Sequence, residues 1–233
     1  MIKISEYSLN PIESEHEPNS VRSHLLGVIL SVIGLAVLLM AGRNQGLPGI
    51  YILSFMTYGI TQILLYLMST IYHSYDRGTV KKALFKKFDH IMIFWYIAGT
   101  FTPICVIAVG DGVGMWVLAL VWLVTLFGTV FKAMWAHSPG YVNAILYIGM
   151  GWLAVFLLRA LWINAGLNAL LLVVAGGISY TTGAIIYARS KKKDLAVSIH
   201  MHDIFHWFIL VGSAFFYAVI YCMVLPMAVN SGA

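Results

Sequence analysis

The sequence predicts an all-α integral membrane protein, a bundle of seven transmembrane helices with the N-terminus cytoplasmic and the C-terminus outside. Three observations predict it. Of 233 residues, 61% are hydrophobic and 10% charged, with a mean hydropathy of +0.87, against about 45–50% apolar and about 25% charged in soluble domains. Apolar runs long enough to cross a hydrocarbon core, which takes roughly 20 residues, recur along the chain. The basic residues fall almost wholly on alternate loops.

In chain order, residues 1–20 hold Glu6, Glu13, Glu15 and Glu17 with Pro11 and Pro18. This acidic, turn-rich head lacks the basic n-region and short apolar core of a secretory signal, so 1–20 is read as a cytoplasmic tail and 21–229 as the transmembrane domain. Spanning runs follow at 24–41, 49–72, 90–109, 113–131, 141–158, 168–188 and 203–225, separated by Gly, Pro, Asn or charge clusters. The third is cut from the fourth by Gly110, Asp111, Gly112 and Gly114, and the fifth from the sixth around Asn164, Gly166 and Asn168.

Seven spans put the termini on opposite sides. One side then carries Lys3, Arg22, Arg77, Lys81, Lys82, Lys86, Lys87, Lys132, Arg189, Lys191, Lys192 and Lys193, and the other only Arg43 and Arg159, which together make the 14 lysines and arginines of the chain. Basic loops stay cytoplasmic, which fixes the orientation. The same loops account for the pI near 9.2, so the basic balance points to a membrane and not to nucleic acid. Two cysteines supply neither a disulfide framework nor a four-thiolate zinc site.

Ionisable groups inside spanning helices cost a few kcal/mol each on insertion scales and default to functional hypotheses. Here they are His73 near the end of the second helix, Asp89 and His90 at the start of the third, and His200, His202, Asp203 and His206 at the start of the seventh. With helix two running inward and helices three and seven starting inside, all lie in the cytoplasmic half of the membrane. His202 and His206 are one helical turn apart on one face, as are Ser69 and His73. Three imidazoles around a divalent ion, with one position open to water and a carboxylate beside it, is the arrangement of a catalytic zinc site. His73, His202 and His206 are therefore the expected zinc ligands, Asp89 the acid–base group and Ser69 the oxyanion or water donor. A histidine pair at this spacing is also met in wet helix ends, without metal. His90 is expected to be an interfacial or interhelical donor, Asp203 a helix N-terminal charge, and His16, His24 and His137 solvated groups. Cys105 and Cys222 are expected to pack as small hydrophobes.

The stretch Ser69-Thr-Ile-Tyr-His73, followed by Phe88-Asp89-His90-Ile-Met-Ile-Phe94 and Ile97-Ala-Gly-Thr-Phe-Thr-Pro103, resembles the bacterial hemolysin III family, relatives of the progestin and adiponectin receptors. Phe131-Lys-Ala-Met-Trp135, Tyr147-Ile-Gly-Met-Gly-Trp152, Gly176-Gly-Ile-Ser-Tyr-Thr-Thr-Gly183 and His202-Asp-Ile-Phe-His206 extend the likeness to residues 17–225. The combined serine, aspartate and paired-histidine pattern marks a wider superfamily that includes alkaline ceramidases. The resemblance implies a seven-helix protein with one zinc on the equivalents of His73, His202 and His206, and Asp89 and Ser69 around it. The family's early motif, a glutamate a few residues before an asparagine, corresponds to Glu15 or Glu17 with Asn19. Where many relatives carry a histidine ten residues after the last ligand, this chain has Phe216.

Three functions are compatible with these residues. One is an intramembrane zinc hydrolase of lipid amide or ester bonds, with membrane lipid as substrate. A second is a non-enzymatic membrane protein, cytolytic or receptor-like or homeostatic, with a structural zinc. A third is a proton or ion transporter, which the lack of inverted repeats and of midplane acids speaks against. The expected location is the bacterial plasma (inner) membrane, crossed several times.

Overall fold

A computed structural model describes residues 18–75, 79–110, 112–135, 140–190 and 195–232. Most of the acidic tail, Arg77, His137 and Lys191 to Lys193 lie outside the described residues. Every regular element among the described residues is helical. They are α1 (Pro18–Asn44), α2 (Gly49–Ser74), α3 (Val80–Pro103), α4 (Val113–Met134), α5 (Gly140–Trp152), α6 (Leu158–Ser190), α7 (Leu195–Val219) and α8 (Leu225–Gly232). A 3-10 turn, Leu153–Leu157, joins α5 to α6, and π-helical turns extend α3 over Ile104–Val109 and α7 over Ile220–Val224.

Local chemistry explains the boundaries. Pro48 precedes α2, where its missing N–H costs nothing. Thr79 caps α3 by accepting a hydrogen bond from the Lys82 amide at 3.1 Å. Pro103 cannot donate to the helical ladder, and the wider π-helical register begins immediately after it. Gly110 and Gly112, both at positive φ, turn the chain into α4.

The apolar surface faces outward. On α1 the buried face is Ser20, Ser23, His24, Gly27, Ser31, Gly34, Leu38 and Gly42, while Leu25, Ile29, Leu30 and Ile33 are exposed. Small and polar residues toward neighbouring helices, with large apolar ones outside, is the pattern of a helix solvated by lipid. Among the described residues, six stretches are long and apolar enough to cross a membrane: Pro18–Asn44, Gly49–Ser74, Val80–Val109, Val113–Met134, Tyr141–Arg189 and His200–Ser231.

Hydrogen bonds give the helix directions. Ser20 meets Asp203 and Tyr217 meets Gly34, both at a separation of 183 residues, so α1 and α7 run parallel. Tyr66 with Ser213 and His73 with His202 show α2 running against α7. Gly166 leaves helical geometry altogether, at φ 83° and ψ 175°. Trp152 Nε1 donates to Thr181 Oγ1 at 3.3 Å, and these two residues lie almost equally far along the chain from Gly166. The chain therefore doubles back there.

Two expectations about side-chain placement are corrected. Lys132, counted among the loop lysines, is fully buried at the end of α4, where Nζ donates to Asn143 Oδ1 at 2.8 Å; its aliphatic stem suits the interior and its head finds a polar acceptor there. Cys222 is exposed on the outer face of the bundle, whereas Cys105 is buried.

Candidate metal centre

The antiparallel pairing of α2 with α7 brings the end of one beside the first turns of the other. His73 Nε2 and His202 Nε2 are 3.3 Å apart. One ligand atom from each of His73, His202 and His206 lies within 4.8 Å of the others. The rings are 4.5–5.0 Å apart between centroids and mutually inclined by 55–70°, so their in-plane lone pairs converge rather than stack. Nitrogens bound to zinc at 2.0–2.1 Å in a tetrahedron stand about 3.3–3.4 Å apart. The His73–His202 separation already has that value, and a small closing movement of His206 completes the triangle. The donor set fits a divalent ion of zinc type, because three imidazoles are neutral borderline ligands that suit it. The helical repeat makes this arrangement cheap: two of the three ligands share one face of α7, and only α2 must be docked.

His73 and His206 are each 1% exposed. His202 and His206 form part of the wall of a cavity of about 240 Å³ between α1, α2, α3, α5, α6 and α7, and Ser69 and Asp89 line the same cavity. The rest of its lining is mainly apolar and aromatic, including Ile93, Ile97, Val173 and Phe216. Ser69 is buried, and the Asp89 side chain is 14% exposed with Oδ2 3.5 Å from His90 Nδ1. His90 Nδ1 also lies 2.7 Å from the Lys86 carbonyl in the preceding turn of α3.

Three features escaped sequence reasoning. His24, expected to be solvated, is buried and stacked on His206 with centroids 3.8 Å apart; its partner is far away in sequence, on a helix that only the fold brings near. Asp203 is well inside α7, which starts eight residues earlier than the apolar run, and accepts from Ser20 Oγ at 2.6 Å. The third is a hydroxyl cluster. Tyr66, Tyr96, Tyr180 and Ser213 join α2, α3, α6 and α7 through contacts of 2.6–3.1 Å. Four hydroxyls supply four protons for four contacts, so the cluster can close on itself. Phe216 stacks on Tyr180 at 5.5 Å beside it.

The sequence places the chain among known proteins. The family model described as Haemolysin-III related matches residues 13–217. Hemolysin-3 of Bacillus cereus is 34% identical over 206 residues, covering 88% of this chain and 90% of its own length. Hemolysin-3 homolog of Bacillus subtilis (strain 168) is likewise 34% identical over 206 residues, covering 88% of this chain and 93% of its own. With its membrane-length helices and this match over most of its length, the chain is a multi-pass membrane protein that belongs to the haemolysin-III-related family.

Proposed function

We propose that the protein is a seven-span zinc protein of the bacterial plasma membrane that hydrolyses an amide or ester bond in a lipid. The observation that carries this reading is the convergence of the His73, His202 and His206 nitrogens within 4.8 Å, with His202 and His206 in the wall of a mainly apolar cavity that Asp89 and Ser69 also line. A polar centre at one part of an apolar cavity suits an amphiphile, whose reactive carbonyl and hydrocarbon chain need those two environments.

His73, His202 and His206 would hold the metal. Zinc bound there supplies a Lewis acid that polarises a carbonyl and acidifies a water. Asp89 takes the proton as water adds to the carbonyl carbon, and returns it to the departing amine or alcohol when the C–N or C–O bond breaks. Ser69 donates its hydroxyl to the oxygen that gains negative charge. The products are a carboxylic acid and an amine or alcohol, with one water consumed.

Metal content by mass spectrometry of detergent-purified protein tests the centre. About one zinc per chain is expected in the wild type and in Asp89→Asn, and none in His202→Ala. Asp89→Asn should then abolish release of fatty acid from a panel of amide- and ester-linked lipids. Metal without any turnover would leave zinc as a scaffold tying α7 to α2, and a metal-free wild type would remove both readings. The relatives' name, hemolysin, favours a second reading, membrane lysis. Zinc-independent dye release from liposomes would support it.

A further inference from the structure

His24 has no role in the scheme above, yet it is 4% exposed and lines the same cavity as His202, His206, Ser69 and Asp89. Neither of its ring nitrogens has a hydrogen-bond partner among the described residues. Burying an unsatisfied polar group costs stability, a cost that a phenylalanine on this face of α1 would avoid. Its position is fixed from two directions. Asp203, between the two α7 histidines, accepts from Ser20 Oγ at 2.6 Å and from Asn19 Nδ2 at 3.4 Å, which fastens the first turn of α1. Tyr66 meets the imidazole edge-on at 5.3 Å, and the absent side chain of Gly27 gives Tyr66 room to do so.

Ring geometry separates two roles for this imidazole. The His24 ring lies 3.8 Å from that of His206 and within 31° of parallel to it. An imidazole's lone pair lies in its own plane, so an ion held in the plane of His206 is displaced from the plane of His24 and out of line with its lone pairs. His24 correspondingly falls outside the set of nitrogens within 4.8 Å. His24 does, however, line the cavity that His202 and His206 wall, so a group seated there beside the ion meets this ring. A neutral imidazole offers one N–H and one lone pair, and a half-turn about χ2 exchanges its nitrogen and carbon positions.

Resting on the metal reading above, we infer that His24 is a contact residue for the group that fills the position left open by His73, His202 and His206, and donates a hydrogen bond to a carbonyl or carboxylate oxygen there. The Ser20–Asp203 pair is the positioning element that keeps it in place.

The experiment uses the full chain in detergent, loaded with cobalt(II) and titrated with acetohydroxamate while the visible spectrum is followed. The wild type should hold one cobalt per chain and respond to the probe. His24→Phe should keep its cobalt, measured by mass spectrometry, and bind the probe about five- to tenfold more weakly, the size of one hydrogen bond. His24→Gln, which keeps an N–H, should recover most of that loss. Probe binding in His24→Phe equal to wild type would make His24 a packing group and overturn the inference. Loss of cobalt from both His24 variants would also overturn it, by making His24 part of what holds the metal or the fold. A wild type that takes up no cobalt would remove the metal reading and this inference together.

Discussion

Lys132 and His24 carry the same lesson at the scale of single residues. Both are polar groups whose sequence neighbourhood reads as a wet helix end, and both are buried because another helix supplies the wall. The pairing of Lys132 with Asn143 leads to a prediction. Hydrogen bonds to charged groups contribute about 1.5–3 kcal/mol, so Asn143→Leu, which deprives Lys132 Nζ of this acceptor, should lower stability by about that amount in detergent unfolding. A Lys132→Met, Asn143→Leu double variant should recover part of the loss, because the pair is removed together. If the single variant unfolds like the wild type, the contact between α4 and α5 has no energetic weight. The metal-ligand candidates His73, His202 and His206 were legible because helical periodicity and span topology together fix both face and depth. His24 was not, because its significance lies in a stacking contact that periodicity does not encode.

At the scale of elements, the apolar runs located the spans but not the helices. α7 begins at Leu195 although its apolar run begins at 203, since a helix continues through polar residues while a hydropathy run stops at them. The π-helical turn after Pro103 and the one over Ile220–Val224 had no signal in apolar content, because backbone register does not change composition. Glycines separate backbone effects from packing effects. At Gly166 a Cβ would meet nothing within 4 Å, yet φ 83° and ψ 175° is a region essentially reserved for glycine. Gly166→Ala should therefore cost about 1–3 kcal/mol through strain alone. Gly27→Ala should cost about 1–3 kcal/mol for the opposite reason, since its Cβ would lie 2.5 Å from the Tyr66 ring. Gly149, helical with open space around it, is the control: alanine there should stabilise by roughly 0.5–1 kcal/mol. Thermal unfolding of the three variants in detergent checks the order, and a destabilised Gly149→Ala would break it.

For the whole molecule, the candidate site and the topology constrain each other. The stretch Tyr141–Arg189 is 49 residues of apolar helix, about 74 Å at 1.5 Å per residue, against a hydrocarbon core of about 30 Å. A single crossing would put the start of α7 on the side opposite the end of α2, and His202 could not then lie 3.3 Å from His73. Two crossings, reversing at Gly166, bring both helix ends to one leaflet, and this supports seven spans. The parallel alignment of α1 with α7 supports the same count, since only an even number of reversals returns the chain to its first direction. The distribution of basic residues then supports a cytoplasmic site. Single cysteines placed in a Cys105→Ala, Cys222→Ser background test this directly. A membrane-impermeant maleimide added to intact cells should label Arg159→Cys and leave Arg189→Cys unlabelled until the cells are opened. Labelling of Arg189→Cys from outside with Arg159→Cys protected would invert the orientation and move the histidine centre to the external leaflet. Labelling of both from outside would contradict a reversal at Gly166 between two full crossings, and with it the shared depth on which the three-histidine site depends.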